Sequence, residues 1–279
     1  MSASRPPLFD HHMASLAQAR AAAIAGDRFL IRAATENIAE RLAAVTRHFA
    51  RGLLIGERVP TEIGPFADTW TTALFDRNEM LGLDRQNFDV GVSVFSLQTI
   101  NDLPGALIQV RRALKPDGLF LAALFGGGTL KELRDSFAHG ESETLGGISP
   151  RISPFADVRD LGSLLQRARF ALPVADGERL TVRYGDFSAL VRDLRAHGQT
   201  NALSERSRKP LRRATLAAML EHYRDRHSDD GKLLATFEIL YLTGWAPHES
   251  QQQPLRPGSA KVRLADALRD AAQPLKNCP

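Results

Sequence analysis

The chain has 279 residues, with 36 Lys and Arg against 32 Asp and Glu, a formal net charge of +4. Hydrophobic residues make up 43% and charged residues 24%, which excludes global disorder and can supply one large core or two small ones. No run of about 18 uncharged apolar residues occurs, so no segment is expected to span a membrane. Arg5, Asp10, Arg20 and Asp27 interrupt the apolar core that a secretory signal would need. The single cysteine, Cys278, makes neither an intrachain disulfide nor a multi-cysteine metal site and fits a reducing compartment.

Residues 13–50 read as helical, with Phe29, Ala33, Ile38, Leu42, Val45 and Phe49 recurring at helical steps, and predict an N-terminal helical cap over 1–50. A short strand, Leu53-Leu54-Ile55, ends at Gly56. An irregular stretch with Pro60, Gly64 and Pro65 follows, then a β-prone run from Thr69 to Phe75. Residues 89–97 form a buried-strand candidate. Asn101-Asp102 can cap a helix whose apolar face is Leu103, Leu107, Val110 and Leu114. Lys115-Pro116-Asp117-Gly118 reads as a turn, residues 119–125 as a second buried strand, and Gly126-Gly127-Gly128 as its end. Thr129 and Glu132 have capping-box spacing for a helix with Leu130, Leu133 and Phe137 on one side. This βαβα order implies a parallel sheet covered on both faces. A further helix spans Asp157 to Arg169 with Leu161, Leu164, Leu165 and Ala168 inward. Strands at Leu180–Tyr184 and Ala235–Leu242 flank a helical insertion at about 186–226. The α/β domain then covers 51–250, and 251–279 is an extended tail.

The basic excess gathers at Arg206, Arg208, Lys209, Arg212 and Arg213 without interleaved aromatics, and aromatics are 7% of the chain. That pattern reads as a solvated helix face, and nucleic acid is not expected as a partner. No G-x-S-x-G elbow and no phosphate-binding P-loop is present.

The run from Phe88 to Arg134 resembles the second half of a class I S-adenosylmethionine-dependent methyltransferase domain. It is similar in particular to the methyltransferase-like respiratory complex I assembly factors, whose family includes a protein-arginine hydroxylase. The branch-specific segments are 101–107 (NDLPGAL), 126–134 (GGGTLKELR), 146–155 (GGISPRISPF), 159–174 (RDLGSLLQRARFALPV) and 244–251 (GWAPHESQ). The resemblance runs from about Leu8 to Ala267. It implies a Rossmann-like class I methyltransferase α/β fold with a shortened first half, an N-terminal helical cap and a helical insertion before the last strand. It also implies S-adenosylmethionine as cofactor and a protein client, a respiratory complex I subunit. The setting it implies is bacterial cytoplasm, peripheral to the inner membrane, or the mitochondrial matrix in a eukaryote.

The chain departs from the family pattern around the expected cofactor crevice. The usual acidic, glycine-rich turn lets backbone approach the cofactor and opens a helix with free N–H groups. Here it reads Leu53 to Pro60, with Gly56 kept, Leu54 at the acidic position and Pro60 at the last glycine. The usual His-Trp pair reads Gln98-Thr99. Two strands with their helices need roughly 50 residues, and only 32 lie between Ile55 and Phe88, so about one βα unit should be missing or collapsed. The expected cofactor-binding residues are Gly56, Asp76, Ser93, Phe95 and Ser96. Asp76 reads either as an acid for ribose hydroxyls or as a surface turn residue. The last three read either as site residues or as packing at a strand end. These departures predict a degenerate site with weak or lost binding. A working methyltransferase and a protein-arginine hydroxylase on the same scaffold remain the alternatives.

Methyl transfer needs little acid–base chemistry, so no catalytic residue is assigned. A non-haem iron would want two His and a carboxylate. His139-Gly140-Glu141 has that spacing, with His197, His222, His227 or His248 as a third ligand. Among eight His one such match arises by accident, and no metal site is assigned. His11-His12 reads as an exposed pair and Trp245 as a strand-end packing residue.

Overall fold

Residues 119–125 alternate their side chains between two apolar environments, which only a central strand covered on both faces can satisfy. They belong to β4 (Leu114–Phe125), at the centre of the computed structural model, which describes residues 6–24 and 27–252. The other strands are β1 (Phe49–Ile55), β2 (Ala67–Ala73), β3 (Phe88–Val94), β5 (Ala171–Tyr184), β6 (Ser228–Asp229) and β7 (Lys232–Trp245). They form one seven-stranded sheet in the order β2-β1-β3-β4-β7-β5, with β6 paired to β7. Strands β2, β1, β3 and β4 run parallel, and β7 is antiparallel to both β4 and β5.

The helices are α1 (His11–Ala23), α2 (Phe29–Ala43), α3 (Leu103–Ala113), α4 (Lys131–Leu145), α5 (Val158–Arg167), α6 (Phe187–Ala196) and α7 (Arg213–Arg226). Leu30, Ile38 and Leu42 of α2, Leu133 of α4, Leu190 of α6 and Met219 and Tyr223 of α7 cover one face of the sheet. Leu107 and Val110 of α3 and Leu161 and Leu165 of α5 cover the other. The result is a three-layer, Rossmann-like class I methyltransferase fold whose first half is shortened. Between β1 and β3 lies one strand, β2, and a single 3-10 turn at Gly64–Phe66. Residues through His248 form one unit, and Glu249 begins a second, of which residues 249–252 are described, with a turn at Glu249 and Ser250. The proposed tail at 251–279 lies outside the described residues apart from 251 and 252.

Several local expectations change in the folded chain. The helical run at 13–50 is two helices, and its last residues already belong to β1, because Phe49 is buried beside Ala67. Lys115 to Gly118 is a bulge inside β4, where the pairing with β3 shifts between Phe88 and Val90, and Asp117 takes φ +61°. The Thr129–Glu132 capping box does not form. Leu130 precedes α4 at φ +54°, Thr129 Oγ donates to the Glu238 carbonyl (3.0 Å), and the Glu132 carboxylate accepts from the amide and hydroxyl of Thr236. The tertiary partner on β7 outcompetes the local cap. Gly126 has a packing reason: a Cβ there would stand 2.6 Å from Glu238 Oε2, whose partner oxygen meets Arg179 at 3.0 Å. Arg206 to Arg212 lie on the segment joining α6 to α7 rather than on a helix face, and Arg206 pairs with Asp10 (3.1 Å).

Two adjacent residues hold α4 and its following loop in place. At Gly140 a Cβ would approach the Met219 amide nitrogen to 2.8 Å and the Thr215 carbonyl to 2.9 Å, so glycine lets α4 and α7 pack closely. Glu141 is fully buried and accepts from the Ser149 amide and hydroxyl (2.6 Å each) and from Arg151 Nε (2.8 Å), which ties down the loop after α4. Burial would raise the Glu141 carboxyl pKa, but the Ser149 and Arg151 donors outweigh it and hold the pKa below its ordinary value.

Gly140→Ala should gain roughly 1 kcal/mol of helix propensity and lose about 1–3 kcal/mol to overpacking against backbone. A lower urea midpoint with unchanged m-value is expected, and an unchanged or higher midpoint would show that the helices have room. Because the Glu141 pKa is lowered, its contribution is present above the unfolded glutamate value and is lost as pH falls through the folded one. Glu141→Gln should therefore cost about 2 kcal/mol at pH 7, and the gap should narrow as pH falls below about 4.3. A gap that stays constant with pH in urea titrations would refute the ionic account.

Candidate functional site

In open α/β sheets the crevice beyond the carboxyl ends of the parallel strands is where ligands sit. Gly56 follows β1 there, but its N–H donates to the Ala73 carbonyl of β2 (2.9 Å). A Cβ on Gly56 would stand 3.7 Å from Ser96 Oγ, so these two residues are neighbours. Ser93 pairs with Ile55 on one side and Ala122 on the other, is fully buried, and its hydroxyl has no hydrogen-bond partner. Ser96 Oγ donates to the Val94 carbonyl (3.2 Å). Gly56, Ser93 and Ser96 thus gather where β1 and β3 end.

Phe95 turns the other way. Its φ of +51° redirects the chain, and its ring stacks on Phe125 of β4 at 4.2 Å and 13°. Asp76 is exposed, and its Oδ1 accepts from the amides of Asn78 and Met80 (2.8 Å each), closing its own turn. Residues 56–66 carry no α-helix. The Pro60 carbonyl accepts from the amides of Ile63 (3.2 Å) and Gly64 (3.0 Å), closing the turn ahead of the 3-10 segment Gly64–Phe66.

Glu79, at φ +59°, reaches across the same edge. Its carboxylate accepts from the amides of Asn101 (2.6 Å) and Asp102 (2.7 Å) ahead of α3 and pairs with His11 (2.9 Å). A negative charge at the start of α3 suits the helix dipole, and the expected His11-His12 pair is therefore engaged at its first member. Gln98 links the end of β4 to the segment after α6: its Oε1 accepts from the Phe125 amide (3.4 Å) and its Nε2 donates to Gln199.

Beside this edge lies a cavity of about 250 Å³, walled by Phe125, Leu133, Phe155, Phe187 and Phe237, with Arg151 and Asn201 as polar groups. It sits between α4, α6 and the loop pinned by Glu141. A smaller void of about 20 Å³ borders Phe95, Gln98 and Thr99 and shares Ser153, Phe155, Gln199 and Thr200 with it. Sequence patterning marks Leu133 and Phe137 as one helix face but gives no sign that a cavity is left over them, because its far wall comes from α6 and the 146–155 loop.

The histidines separate by role. His197 is a core residue, accepting from the Leu30 amide (3.2 Å) at Nε2 and donating to the Asp193 carbonyl (2.8 Å) at Nδ1, and burial lowers its pKa. His139 and Glu141 do not converge: Glu141 is buried against Arg151, while His139 pairs with Glu143 (3.5 Å) and stacks on His222 (4.3 Å). Asp135, which sequence spacing did not mark, lies with His222 and His227. Trp245 packs half-buried at the end of β7, opposite Leu119 and Ala171.

A methyltransferase-domain family model matches residues 70–122, from β2 to β4. An arginine-hydroxylase NDUFAF5 of Dictyostelium discoideum is 43% identical over 187 residues, covering 66% of this chain and 43% of that protein. The Homo sapiens arginine-hydroxylase NDUFAF5 is 42% identical over 197 residues, covering 70% and 57%. A malonyl-[acyl-carrier protein] O-methyltransferase of Xylella fastidiosa is 42% identical over 159 residues, covering 57% and 52%. The chain therefore spans about half the length of the curated relatives it matches. No helix among the described residues is long and apolar enough to cross a membrane. In sheet order and in sequence the chain is similar to class I methyltransferases and, among them, to the NDUFAF5 arginine-hydroxylase proteins.

Proposed function

We propose that this chain acts on or holds a protein client during assembly of respiratory complex I, on a methyltransferase scaffold whose S-adenosylmethionine cradle is degenerate. One observation carries the second part: β1 passes to β2 through residues 56–66 without an α-helix. In the family pattern a glycine turn opens a helix whose free N–H groups and flanking acid receive the cofactor. Here the Gly56 N–H is spent on Ala73, Pro60 has no N–H, Leu54 is buried in the core, and Asp76 Oδ1 serves its own turn. These residues do not fit the group, and no chemical step is routed through it.

The client reading is supported by the kinship with proteins named arginine hydroxylases, whose substrate is an arginine side chain, and by the aromatic cavity kept beside the crevice. Its place of action would be the bacterial cytoplasm beside the inner membrane, or the mitochondrial matrix in a eukaryote. The same names favour a second reading, hydroxylation of a protein arginine on this scaffold.

Titration calorimetry of the full chain should give no binding heat with S-adenosylmethionine or S-adenosylhomocysteine up to millimolar ligand, and Pro60→Gly should not restore it. Micromolar binding to the unaltered chain would overturn the degenerate-cradle reading and make methyl transfer the leading function. Val191→Trp, on the half-buried face of α6 lining the cavity, should lower recovery of a complex I subunit copurified from the host by about tenfold or more. Undiminished recovery from a folded variant would remove the cavity from client binding.

A further inference from the structure

We propose that Asp135, His222 and His227 form a binding site for one divalent first-row transition-metal ion. Asp135 projects from α4, His222 from α7 one position before its last turn, and His227 is that helix's C-cap. One ligand atom from each residue lies within 4.8 Å of the others. His227 Nε2 stands 2.8 Å and His222 Nε2 3.7 Å from the same Asp135 oxygen, Oδ2. A metal held at about 2.0–2.2 Å needs ligand atoms roughly 3.0–3.4 Å apart. The Asp135 side chain, 58% exposed, has room to close that difference by rotation.

The surroundings orient the ligands. The His227 N–H donates to the Tyr223 carbonyl (2.9 Å), and its carbonyl accepts from the Leu234 amide (2.9 Å), so its backbone is fixed on both sides. The hairpin that follows turns at Asp230 and Gly231, whose φ values of +49° and +70° suit a tight two-residue turn. Ser136 Oγ donates to the Glu132 carbonyl (2.8 Å), leaving a lone pair toward His222 Nδ1 at 3.4 Å. A proton on Nδ1 leaves the Nε2 lone pair of His222 facing the Asp135 carboxylate, an arrangement that a cation between them satisfies.

Two imidazoles and one carboxylate select zinc, iron, cobalt or nickel over magnesium or calcium, and the exposed side leaves positions for water. His139 stacks on His222 and pairs with Glu143, so it packs beside the site without being a ligand. The site is separate from the aromatic cavity: Leu133 and Phe137 of α4 line the cavity, while Asp135 and His139 are on the side that meets α7.

The test is titration of the untagged full chain with Zn2+ by calorimetry and with Co2+ by visible absorption. One equivalent should bind with a Kd in the micromolar range or tighter. Asp135→Asn, His222→Gln and His227→Gln should each weaken it about a hundredfold, while His139→Gln should leave it within about threefold. Asp135→Asn keeps the shape of an exposed residue, so loss of binding in that variant, with an unchanged circular dichroism spectrum, cannot come from unfolding. No uptake by the unaltered chain at about 1 mM metal would overturn the proposal. Affinity in the Asp135 or His222 variant equal to that of the unaltered chain, or a His139 variant as weak as theirs, would also overturn it.

Discussion

The Glu132 carboxylate, buried between α4 and β7, accepts from both the amide and the hydroxyl of Thr236. A buried carboxylate left without donors would cost several kcal/mol, whereas one that is fully bonded fixes geometry. This bond sets how α4 lies on the sheet, and three features depend on that placement. The inward face of α4 walls the aromatic cavity, its side toward α7 carries Asp135, and its C-terminal end presents Glu141 to the loop that completes the cavity. The same pairing explains why Thr129 and Glu132 do not cap the helix locally, since both side chains bond to β7 instead.

At the opposite end of the sheet the controlling constraint is chain length. Thirty-two residues between Ile55 and Phe88 must supply a crossover, an edge strand and the return. They do so by sending β1 directly to β2 and extending the pairing through the Gly56 amide to Ala73. The Gly56 amide is thereby engaged in edge pairing. Trp70 ties the crossover to β2, its indole N–H donating to the Gly64 carbonyl (2.9 Å) while its ring lies against Gly52 of β1.

Elements whose burial is one-sided or complete were legible in the sequence. Helix α5 shows its inward Leu161 and Leu165, β4 its unbroken apolar run, and Asp102 caps α3 through the Gly105 amide (2.9 Å) as its position suggests. The collapsed βα unit was legible from counting alone. The lengths of β5 and β7 were not, because β5 is an edge strand with alternating exposure, a Pro at 173 and a bulge beyond Ala171, which hide its period. Of the crevice residues, sequence placed Gly56, Ser93 and Ser96 at strand ends where they do meet, but the backbone turn at Phe95 and the self-directed bonds of Asp76 depend on dihedrals that composition does not reveal. Asp135 was hidden for another reason: its partners are some 90 residues away on α7, and local spacing instead pointed to His139 and Glu141, which a helix turns to different sides.

The two apolar clusters that stabilise the fold lie on the faces of the sheet, while the crevice lies at its edge. Between β1 and β2 only Ile63 is fully buried, with Val59 and Phe66 packed against the same core, and the 76–80 turn is mostly exposed. Leu54, Val92, Leu121 and Phe237 fill one core and Leu53, Phe120, Leu165 and Leu242 the other, whatever the form of the β1–β2 connection. The buried Ser93 hydroxyl, with no partner, stands where that edge meets the core. A polar atom of that kind is tolerated at modest cost when the backbone around it pairs on both sides, as Ser93 does with Ile55 and Ala122.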